Sequence, residues 1–326
     1  MASNKEIVIF FTFDNNYAVP AMVAINSLLR TVNKELTNRY IILIAHDNVT
    51  SKNIAALKSI VSQYDFADIV FKNTNGFLAD EWAEGNFAGH NKSDTKRYQF
   101  CKETVYKCFA SSLFPEYERI IYSDVDVVFK KDISDLADID LSNNYVAGVH
   151  VMEYSGREHE AAHLGEPHFS QLRSSYIAGG IWVLNCLAIR KNRLEDKLLE
   201  VMRDSAITKK WPDQDIMNIA CAGQVQHLPL RYISYADIHK IVKAIGEVTN
   251  YKQEDLWEFY YSPTILHYAA FKPWTLQSKM LMDWWSEYSL IKPYVSDFTC
   301  YKARKKKKFC FFLYRYLYKK LKFNFL

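Results

Sequence analysis

The sequence has few of the residues that mark disulfide-rich, fibrous or low-complexity proteins. Its 326 residues include six scattered cysteines without a CxxC pair, ten glycines and eight prolines. Cysteines in this pattern predict free thiols in a reducing compartment, and the first residues show no signal-peptide pattern, so we expect a cytoplasmic protein. Hydrophobic residues make up 49% of the chain, which is enough for one large α/β domain or two ordinary ones.

Both of the common glycine-rich phosphate-binding loops are missing from the sequence. Neither GxGxxG nor GxxxxGK[ST] occurs, and this absence excludes the usual cradles for dinucleotides and triphosphates. If the chain binds a nucleotide, groups other than a glycine loop must therefore hold its phosphates.

Long apolar runs are also missing, and basic charge is concentrated at the C-terminus. Residues 301–326 carry ten Lys and Arg and no acid, whereas the remainder has 31 basic and 37 acidic side chains. The longest apolar run of this segment, Phe309–Tyr314, is much shorter than the ~20 residues that span a bilayer. A lysine cluster followed by Phe, Tyr and Leu predicts a helix on an anionic membrane, and we expect peripheral binding at the inner face of the plasma membrane.

Two other interpretations of this basic, aromatic C-terminal tail, residues 299–326, stay open. Basic residues interleaved with aromatic ones also suit RNA, but the sequence has no RNA-binding motif, and we expect no nucleic-acid partner. A disordered, solvated tail is the third interpretation, which the many large apolar residues disfavour. Residues 1–298 are expected to form the folded domain.

Within residues 1–298, apolar runs that end in polar residues alternate with helical patterns. EIVIFFTFDNNY predicts a buried strand over Ile7–Phe13, and YIILIAHD and YDFADIVFK predict two more. PAMVAINSLLRT and SKNIAALKSIVSQY have helical spacing between these strands. The alternation predicts βαβ units and a largely parallel sheet, with ligands at the carboxyl ends of its strands.

The chain beyond residue 100 continues the alternation. We predict a helix over Thr104–Phe114, strands in ERIIYSDVDVVF, NNYVAGVHV and GGIWVLN, one long helix in CLAIRKNRLEDKLLEVMRDS and a shorter one in DQDIMNIACA.

Two carboxylates, Asp124 and Asp126, lie between the apolar runs of IIYSDVDVVF. Two residues apart on an extended chain, they would point the same way and repel each other. A divalent cation would remove that repulsion, because hard cations favour carboxylate oxygens and can bridge two substrate phosphates. The alternative is a turn at the end of a strand with solvated carboxylates.

At this motif the sequence resembles glycosyltransferase family 8, the bacterial lipopolysaccharide galactosyl- and glucosyltransferases and their capsular relatives. The resemblance spans about residues 5–275. It rests on segments in the family's order, which are DNNY, TVYK, IIYSDVDVVF, SYIAGGIWVLN, WPDQDIMN and ILHYAAFKPW. It implies an α/β fold of the GT-A type, with a mostly parallel central sheet flanked by helices.

The resemblance also implies a binding site for a UDP-sugar and a metal ion. Asp14 and Asn16 would contact the uridine, and Tyr17 would stack on the uracil. Lys272 would contact the diphosphate. The implied ligands of Mn²⁺, or Mg²⁺, bridging the diphosphate are Asp124, Asp126 and His267. Two carboxylates and a neutral imidazole would leave positions for phosphate oxygens and water.

Further residues would surround the donor sugar. Asp213 would bind a sugar hydroxyl, and Gln214 would lie at the face of the anomeric carbon opposite the leaving group. Lys107 stands where the family has a donor-contacting Arg, so the charge is kept and the bidentate fork is lost. Ala178 replaces a sugar-binding Asn, whereas the adjacent glycines keep the close backbone approach. These glycines are Gly179 and Gly180.

The family is retaining, which implies transfer of galactose or glucose from UDP to a lipopolysaccharide, capsular or other lipid-linked glycan. No side chain is an evident carboxylate nucleophile, so we favour front-face displacement with Gln214 stabilising positive charge on the sugar ring. The departures at Lys107 and Ala178 leave a second interpretation, a UDP-sugar-binding protein without turnover.

A zinc protease is a third, remote interpretation. The stretch HEAAHLGEPH, from His159 to His168, comes within one residue of HExxHxxGxxH. However, Gly156, Gly165 and Pro167 enclose the segment and leave room for only about two helical turns. Its third His also comes one residue early. We therefore predict a polar loop or short helix here.

Overall fold

Seven strands form the central sheet of the computed structural model, which describes residues 5–36, 38–87, 100–150, 160–235, 252–269, 272–275 and 281–295. In chain order the strands are β1 (Glu6–Thr12), β2 (Arg39–His46), β3 (Ala67–Asn73), β4 (Arg119–Ser123), β6 (Val146–His150), β7 (Ile177–Asn185) and β8 (Val225–Leu228). Their order across the sheet is β3-β2-β1-β4-β7-β6-β8. Only β7 runs antiparallel to its neighbours, so the predicted, mostly parallel sheet is confirmed.

Helices flank this sheet because its inner strands, such as β1, β2 and β7, are buried on both faces. In β1, every residue after Glu6 is buried. The helix Ala18–Thr31 begins two residues before Pro20. Thr50 caps the next helix by accepting a hydrogen bond from the backbone N–H of Asn53 at 3.4 Å. The described helices are α1 (Ala18–Thr31), α2 (Ser51–Val61), α3 (Ala79–Glu84), α4 (Ala110–Leu113), α5 (His168–Leu172), α6 (Cys186–Lys191), α7 (Leu194–Arg203), α8 (Pro212–Ala220), α9 (Gln253–Tyr261) and α10 (Leu281–Ile291).

A second, three-stranded sheet stands beside the first and divides the strand predicted in ERIIYSDVDVVF. It contains β5 (Val127–Phe129), β9 (Ser234–Tyr235) and β10 (Ile265–His267), in the order β5-β10-β9. The antiparallel pairing of β5 with β10 places His267 opposite Val127. The prediction of one continuous strand through both aspartates was wrong, because the chain leaves the main sheet after β4 and joins the small one.

Two helix predictions also differ from the structure. The long helix predicted after GGIWVLN is two helices, because Arg193 adopts a left-handed backbone with φ of 53° between α6 and α7. The helix predicted over Thr104–Phe114 is a 3-10 helix, Lys102–Phe109, followed by the single turn of α4.

Within the described part of the chain, no helix is both long and apolar enough to cross a bilayer. The C-terminal tail lies outside the described residues. Its membrane binding and the domain boundary at residue 298 therefore stay predictions.

Candidate active site

The turn between β4 and β5 carries the two aspartates at the junction of the two sheets. The Asp124 backbone N–H donates to the carbonyl of Gly180 on β7 at 3.0 Å. The Tyr268 N–H donates to the carbonyl of Asp126 at 2.8 Å. These bonds fix the turn against the main sheet on one side and against the end of β10 on the other. The two carboxylates are thereby brought to His267.

Asp124, Asp126 and His267 bring atoms of the types that bind metal ions into one compact group, the metal cluster. The Nε2 atom of His267 is 3.2 Å from an Asp126 oxygen and 3.4 Å from an Asp124 oxygen. All three ligand atoms lie within 4.8 Å of one another. Two carboxylate oxygens and one imidazole nitrogen fit Mn²⁺ or Mg²⁺, because both ions favour hard oxygen donors and Mn²⁺ also accepts imidazole.

The carboxylates also change the titration of the imidazole. Burial alone would lower the pKa of His267, but the charges and hydrogen bonds of Asp126 and Asp124 raise it to about 9. Without a bound metal ion, His267 is therefore positively charged at neutral pH.

Gly180 and Gly179 on β7 leave the space that the cluster needs. A Cβ atom at Gly180 would lie 2.8 Å from both Cε1 and Nδ1 of His267. A Cβ atom at Gly179 would lie 2.6 Å from Oδ2 of Asp213. Both separations are shorter than van der Waals contact, so this part of β7 must be glycine for the two side chains to approach it.

Lys107 lies buried between helix α8 and the turn that carries Asp124 and Asp126. Its Nζ donates to Asp124 at 3.0 Å and to the carbonyl of Gly179 at 2.9 Å, and it also contacts the Asp213 carboxylate. Burial would lower the pKa of Lys107, but the carboxylates of Asp124 and Asp213 outweigh burial and raise it. Lys107 is therefore a fixed cation that connects Asp124 to Asp213.

Lys272 is a second cation at the cluster, and it is more accessible than Lys107. Its Nζ contacts the Asp126 carboxylate and donates to the carbonyls of Tyr268 and Ala269 at 2.9 and 3.0 Å. Its side chain is 21% exposed, against 2% for Lys107. Despite burial, Lys272 and His267 lower the pKa of Asp126 to about 2. A cation at this partly open position is suited to contact an anionic ligand.

Helix α8 presents the WPDQDIMN residues to the same region. Gln214 accepts a hydrogen bond from the Gly179 N–H at 2.7 Å and donates through Nε2 to the Tyr176 hydroxyl at 3.2 Å. Ala178 is buried, and its carbonyl accepts a hydrogen bond from the Trp182 indole at 2.8 Å. Asp213, Gln214 and the glycine pair are thus neighbours of the metal cluster.

The DNNY residues form a short 3-10 turn directly after β1. Asp14 accepts hydrogen bonds from the Tyr17 N–H at 3.1 Å and from the Asn16 amide at 2.8 Å. The half-buried Tyr17 ring packs edge-on against Trp274 at a centroid distance of 5.7 Å. Because Trp274 is two residues from Lys272, this contact connects the DNNY turn with the loop that carries the second cation.

Sequence reasoning did not identify Tyr122 or Trp182. The Tyr122 hydroxyl donates to Asp124 at 2.6 Å, and Lys107 Nζ lies 4.4 Å from the Tyr122 ring centroid and 5.1 Å from that of Trp182. Tyr122 is two residues before Asp124, so the two-residue period of a strand could have predicted it. The Trp182 contact needs the pairing of β4 with β7, which the sequence does not reveal.

The zinc-protease stretch does not join the metal cluster in the part that the structure describes. Glu160–Leu164 is a 3-10 helix, and His163 Nε2 lies 2.8 Å from a carboxylate oxygen of Asp215. His159 and the side chain of Glu160 lie outside the described residues. The described part is therefore a short helix, as predicted.

The fold and this junction of two sheets define the class of protein. A mostly parallel sheet flanked by helices, with an Asp-x-Asp turn after a central strand, is the architecture of GT-A glycosyltransferases. The sequence profile of glycosyl transferase family 8 matches residues 8–277. The chain belongs to glycosyltransferase family 8.

Two curated relatives are similar to this chain, and both are named lipopolysaccharide 1,2-glucosyltransferase. One, from Escherichia coli strain K12, is 30% identical over 158 residues, which are 48% of this chain and 44% of that protein. The other, from Escherichia coli, is 25% identical over 267 residues, which are 80% of this chain and 71% of that protein. The first alignment thus spans less than half of that relative.

Solved structures share the fold at lower sequence identity. The bifunctional glycosyltransferase WbbM has a TM-score of 0.68 at 21% identity, covering 91% of this chain and 53% of its own. The galactosyltransferase LgtC, solved with donor and acceptor sugar analogs, has a TM-score of 0.67 at 16% identity, covering 89% of this chain and 97% of its own. These similarities establish the shared fold.

Proposed function

We propose that this protein is a retaining, metal-dependent transferase that moves a hexose from a UDP-sugar to a lipopolysaccharide, capsular or other lipid-linked glycan. The observation that carries the proposal is the cluster of Asp124, Asp126 and His267, with Lys272 beside it. A divalent cation and a nearby ammonium both stabilise the negative charge that develops on a diphosphate leaving group, and this cluster can supply both.

The cluster would bind the donor at its diphosphate. Asp124, Asp126 and His267 would hold Mn²⁺ or Mg²⁺, and a bound divalent cation supplies charge neutralisation at a leaving diphosphate. Lys272 would move its ammonium from Asp126 to a phosphate oxygen once a cation neutralises Asp126. The contact between Tyr17 and Trp274 would place the uridine end beside this loop, with Asp14 and Asn16 at the base and ribose.

Helix α8 would bind the sugar. Asp213 would accept hydrogen bonds from a sugar hydroxyl, and Lys107 would keep this carboxylate ionised and in place. Gly179 and Gly180 would let the sugar approach the backbone of β7. Gln214 would lie beside the anomeric carbon and stabilise the positive charge that develops on the ring in a front-face displacement.

Glucose is the first donor sugar to test, with galactose second. Both curated relatives are named as glucosyltransferases of lipopolysaccharide, whereas the structural neighbour LgtC is a galactosyltransferase. The absence of a polar side chain at Ala178 removes one group that could read a sugar hydroxyl, so discrimination between the two sugars would rest on other contacts.

The test is release of UDP from a panel of UDP-sugars with Mn²⁺, with and without a glycolipid acceptor. We expect release from one sugar, lost with chelator and in Asp126→Ala, but kept in the matched variant Asp65→Ala, whose carboxylate is exposed and distant in sequence from the cluster. Absence of UDP binding in the wild type would overturn the proposal.

A UDP-sugar-binding protein without turnover is the second candidate function. It is favoured by Ala178, whose methyl side chain offers no polar atom to a sugar hydroxyl where the family has a sugar-binding Asn. Tight, metal-dependent binding of UDP-glucose without release of UDP, with a glycolipid acceptor present, would support this function in place of transfer.

A further inference from the structure

Asp215 is a fully buried carboxylate that belongs neither to the metal cluster nor to the sugar-binding residues proposed above. It accepts hydrogen bonds from the Trp211 N–H at 3.0 Å and from the Tyr176 hydroxyl. On the side toward the 3-10 helix Glu160–Leu164, its Oδ2 is 2.8 Å from His163 Nε2. Three polar partners around one carboxylate make it the centre of a buried network.

The chemistry of the donors fixes the direction of every hydrogen bond in this network. The Tyr176 hydroxyl gives its single proton to Asp215. That hydroxyl can then only accept from Gln214, and it therefore selects the amide nitrogen at 3.2 Å. At the other end, the Gly179 N–H can only donate, and it selects the amide oxygen at 2.7 Å.

A flipped Gln214 amide would place two donors against each other at Gly179 and two acceptors against each other at Tyr176. Either mismatch would oppose two like hydrogen-bonding groups in a buried place and is therefore disfavoured. The amide therefore has one orientation, with its oxygen at β7 beside Gly179.

We propose that His163, Asp215 and Tyr176 are positioning residues, which hold the oxygen of the Gln214 amide toward the donor sugar. The inference rests on the proposed function in giving Gln214 a role at the anomeric carbon. His163 supplies an N–H to Asp215 from the 3-10 helix Glu160–Leu164. This gives the histidine of the HEAAH stretch a function that needs no zinc.

The kinetic test is a double-mutant cycle between Tyr176→Phe and Gln214→Ala. Tyr176→Phe removes only the hydroxyl, and we expect kcat for sugar transfer to fall about 10- to 100-fold, with the KM for the donor and the Kd for UDP changed less than about twofold. In the Gln214→Ala background the same substitution should have almost no further effect, because Tyr176 acts through Gln214. Independent, multiplicative losses in kcat would overturn the proposal.

Two variants of His163 repeat the test if Tyr176→Phe does not fold. His163→Gln keeps an N–H at the position of Nε2 and should retain most of kcat. His163→Ala removes this N–H, and its kcat should fall while its UDP binding is unchanged. Equal kcat for His163→Ala and the wild type would contradict the role of His163.

A spectroscopic test does not depend on turnover and separates this proposal from the proposed function. In protein labelled with ¹⁵N-glutamine, the side-chain resonances of Gln214 are those absent from Gln214→Ala. We expect their hydrogen exchange to be slow in the wild type and in His163→Gln, and at least about tenfold faster in Tyr176→Phe. Unchanged exchange in Tyr176→Phe would overturn the positioning role even if the enzyme is active. Suppose instead that exchange is faster in Tyr176→Phe and that the wild type transfers no sugar. This result would uphold the network and overturn the proposed transferase function.

Discussion

Lys107 lies between Asp124 and Asp213 and is the counter-charge that contacts both carboxylates. Its ammonium contacts both Asp124 and Asp213, and its side chain is 2% exposed. Removing one member of a buried ion pair is more costly than removing the whole pair, because the remaining charge stays in a poorly solvated place. The stability of the site without metal should therefore depend strongly on this one side chain.

Lys107→Met is expected to lower the free energy of unfolding by about 3 kcal/mol in the presence of a chelator. Urea unfolding followed by circular dichroism measures the change. The matched variant is Lys130→Met, which breaks an exposed pair with Asp283 and should cost about 1 kcal/mol or less. Equal losses in the two variants would contradict the buried-pair argument.

The loss in Lys107→Met should also depend on pH. Although burial alone would raise it, Lys107 and His267 hold the pKa of Asp124 well below its ordinary range. A carboxyl with a lowered folded-state pKa stabilises the fold above its unfolded pKa, and this contribution disappears as pH falls through the folded-state value. The difference between variant and wild type should therefore be largest above about pH 5 and shrink toward about pH 3.

The His267 imidazolium should lose its proton when a metal ion binds. Its pKa of about 9 makes it an imidazolium at pH 7, whereas a metal ligand must be neutral imidazole. Binding of Mn²⁺ at pH 7 should release about one proton, and the apparent affinity should rise about tenfold per pH unit up to about pH 9. Calorimetry in buffers of different ionisation enthalpy measures this proton. A binding enthalpy that is the same in all buffers would contradict this proton release. His267→Gln should bind Mn²⁺ weakly and release no proton.

At the scale of elements, β7 determines how closely the metal cluster can be assembled. A Cβ at Gly180 would meet His267 at 2.8 Å and Ile233 at 2.6 Å. Gly180→Ala is therefore expected to displace the imidazole and weaken Mn²⁺ binding about 10- to 100-fold.

Titration with Mn²⁺ followed by electron paramagnetic resonance measures this affinity. Ile181→Val, at the next position of the same strand, is the matched control. It should cost about 1 kcal/mol in stability and leave metal binding unchanged. Equal Mn²⁺ affinities in the two variants would show that β7 does not limit the position of His267.

Elements with strong local patterns could be predicted, whereas the contacts between them could not. The apolar runs of β1 and β2 predict buried strands from local sequence alone. The break at Arg193 has neither Gly nor Pro to mark it, and the turn at Asp124 depends on β5 pairing with β10, about 140 residues away. For the same reason, the resemblance identified Gln214 but not the network of His163, Asp215 and Tyr176 behind it.

At the scale of the whole molecule, charge is divided between an acidic body and a basic C-terminal tail. The candidate site lies where the main sheet and the small sheet meet, and it contributes several buried carboxylates to the body. An acidic body is repelled by anionic lipid, so the tail would have to supply the attraction to a membrane. Binding would then bring the chain to the membrane surface, where the proposed lipid-linked acceptors lie.

The lysine cluster of the tail is expected to provide most of the attraction to an anionic membrane. Serine at Lys305, Lys306, Lys307 and Lys308 should weaken binding to vesicles containing phosphatidylglycerol at least about 100-fold, because each lysine near an anionic surface contributes about 1 kcal/mol. Co-sedimentation at two salt concentrations measures the effect. The matched control replaces the same number of exposed lysines in the body, Lys34, Lys131, Lys191 and Lys197, and should bind like the wild type. Equal binding of the two variants to vesicles would show that charge in the tail does not direct the protein to the membrane. Binding of RNA by the wild type, lost when the tail lysines are replaced, would favour a nucleic-acid partner instead.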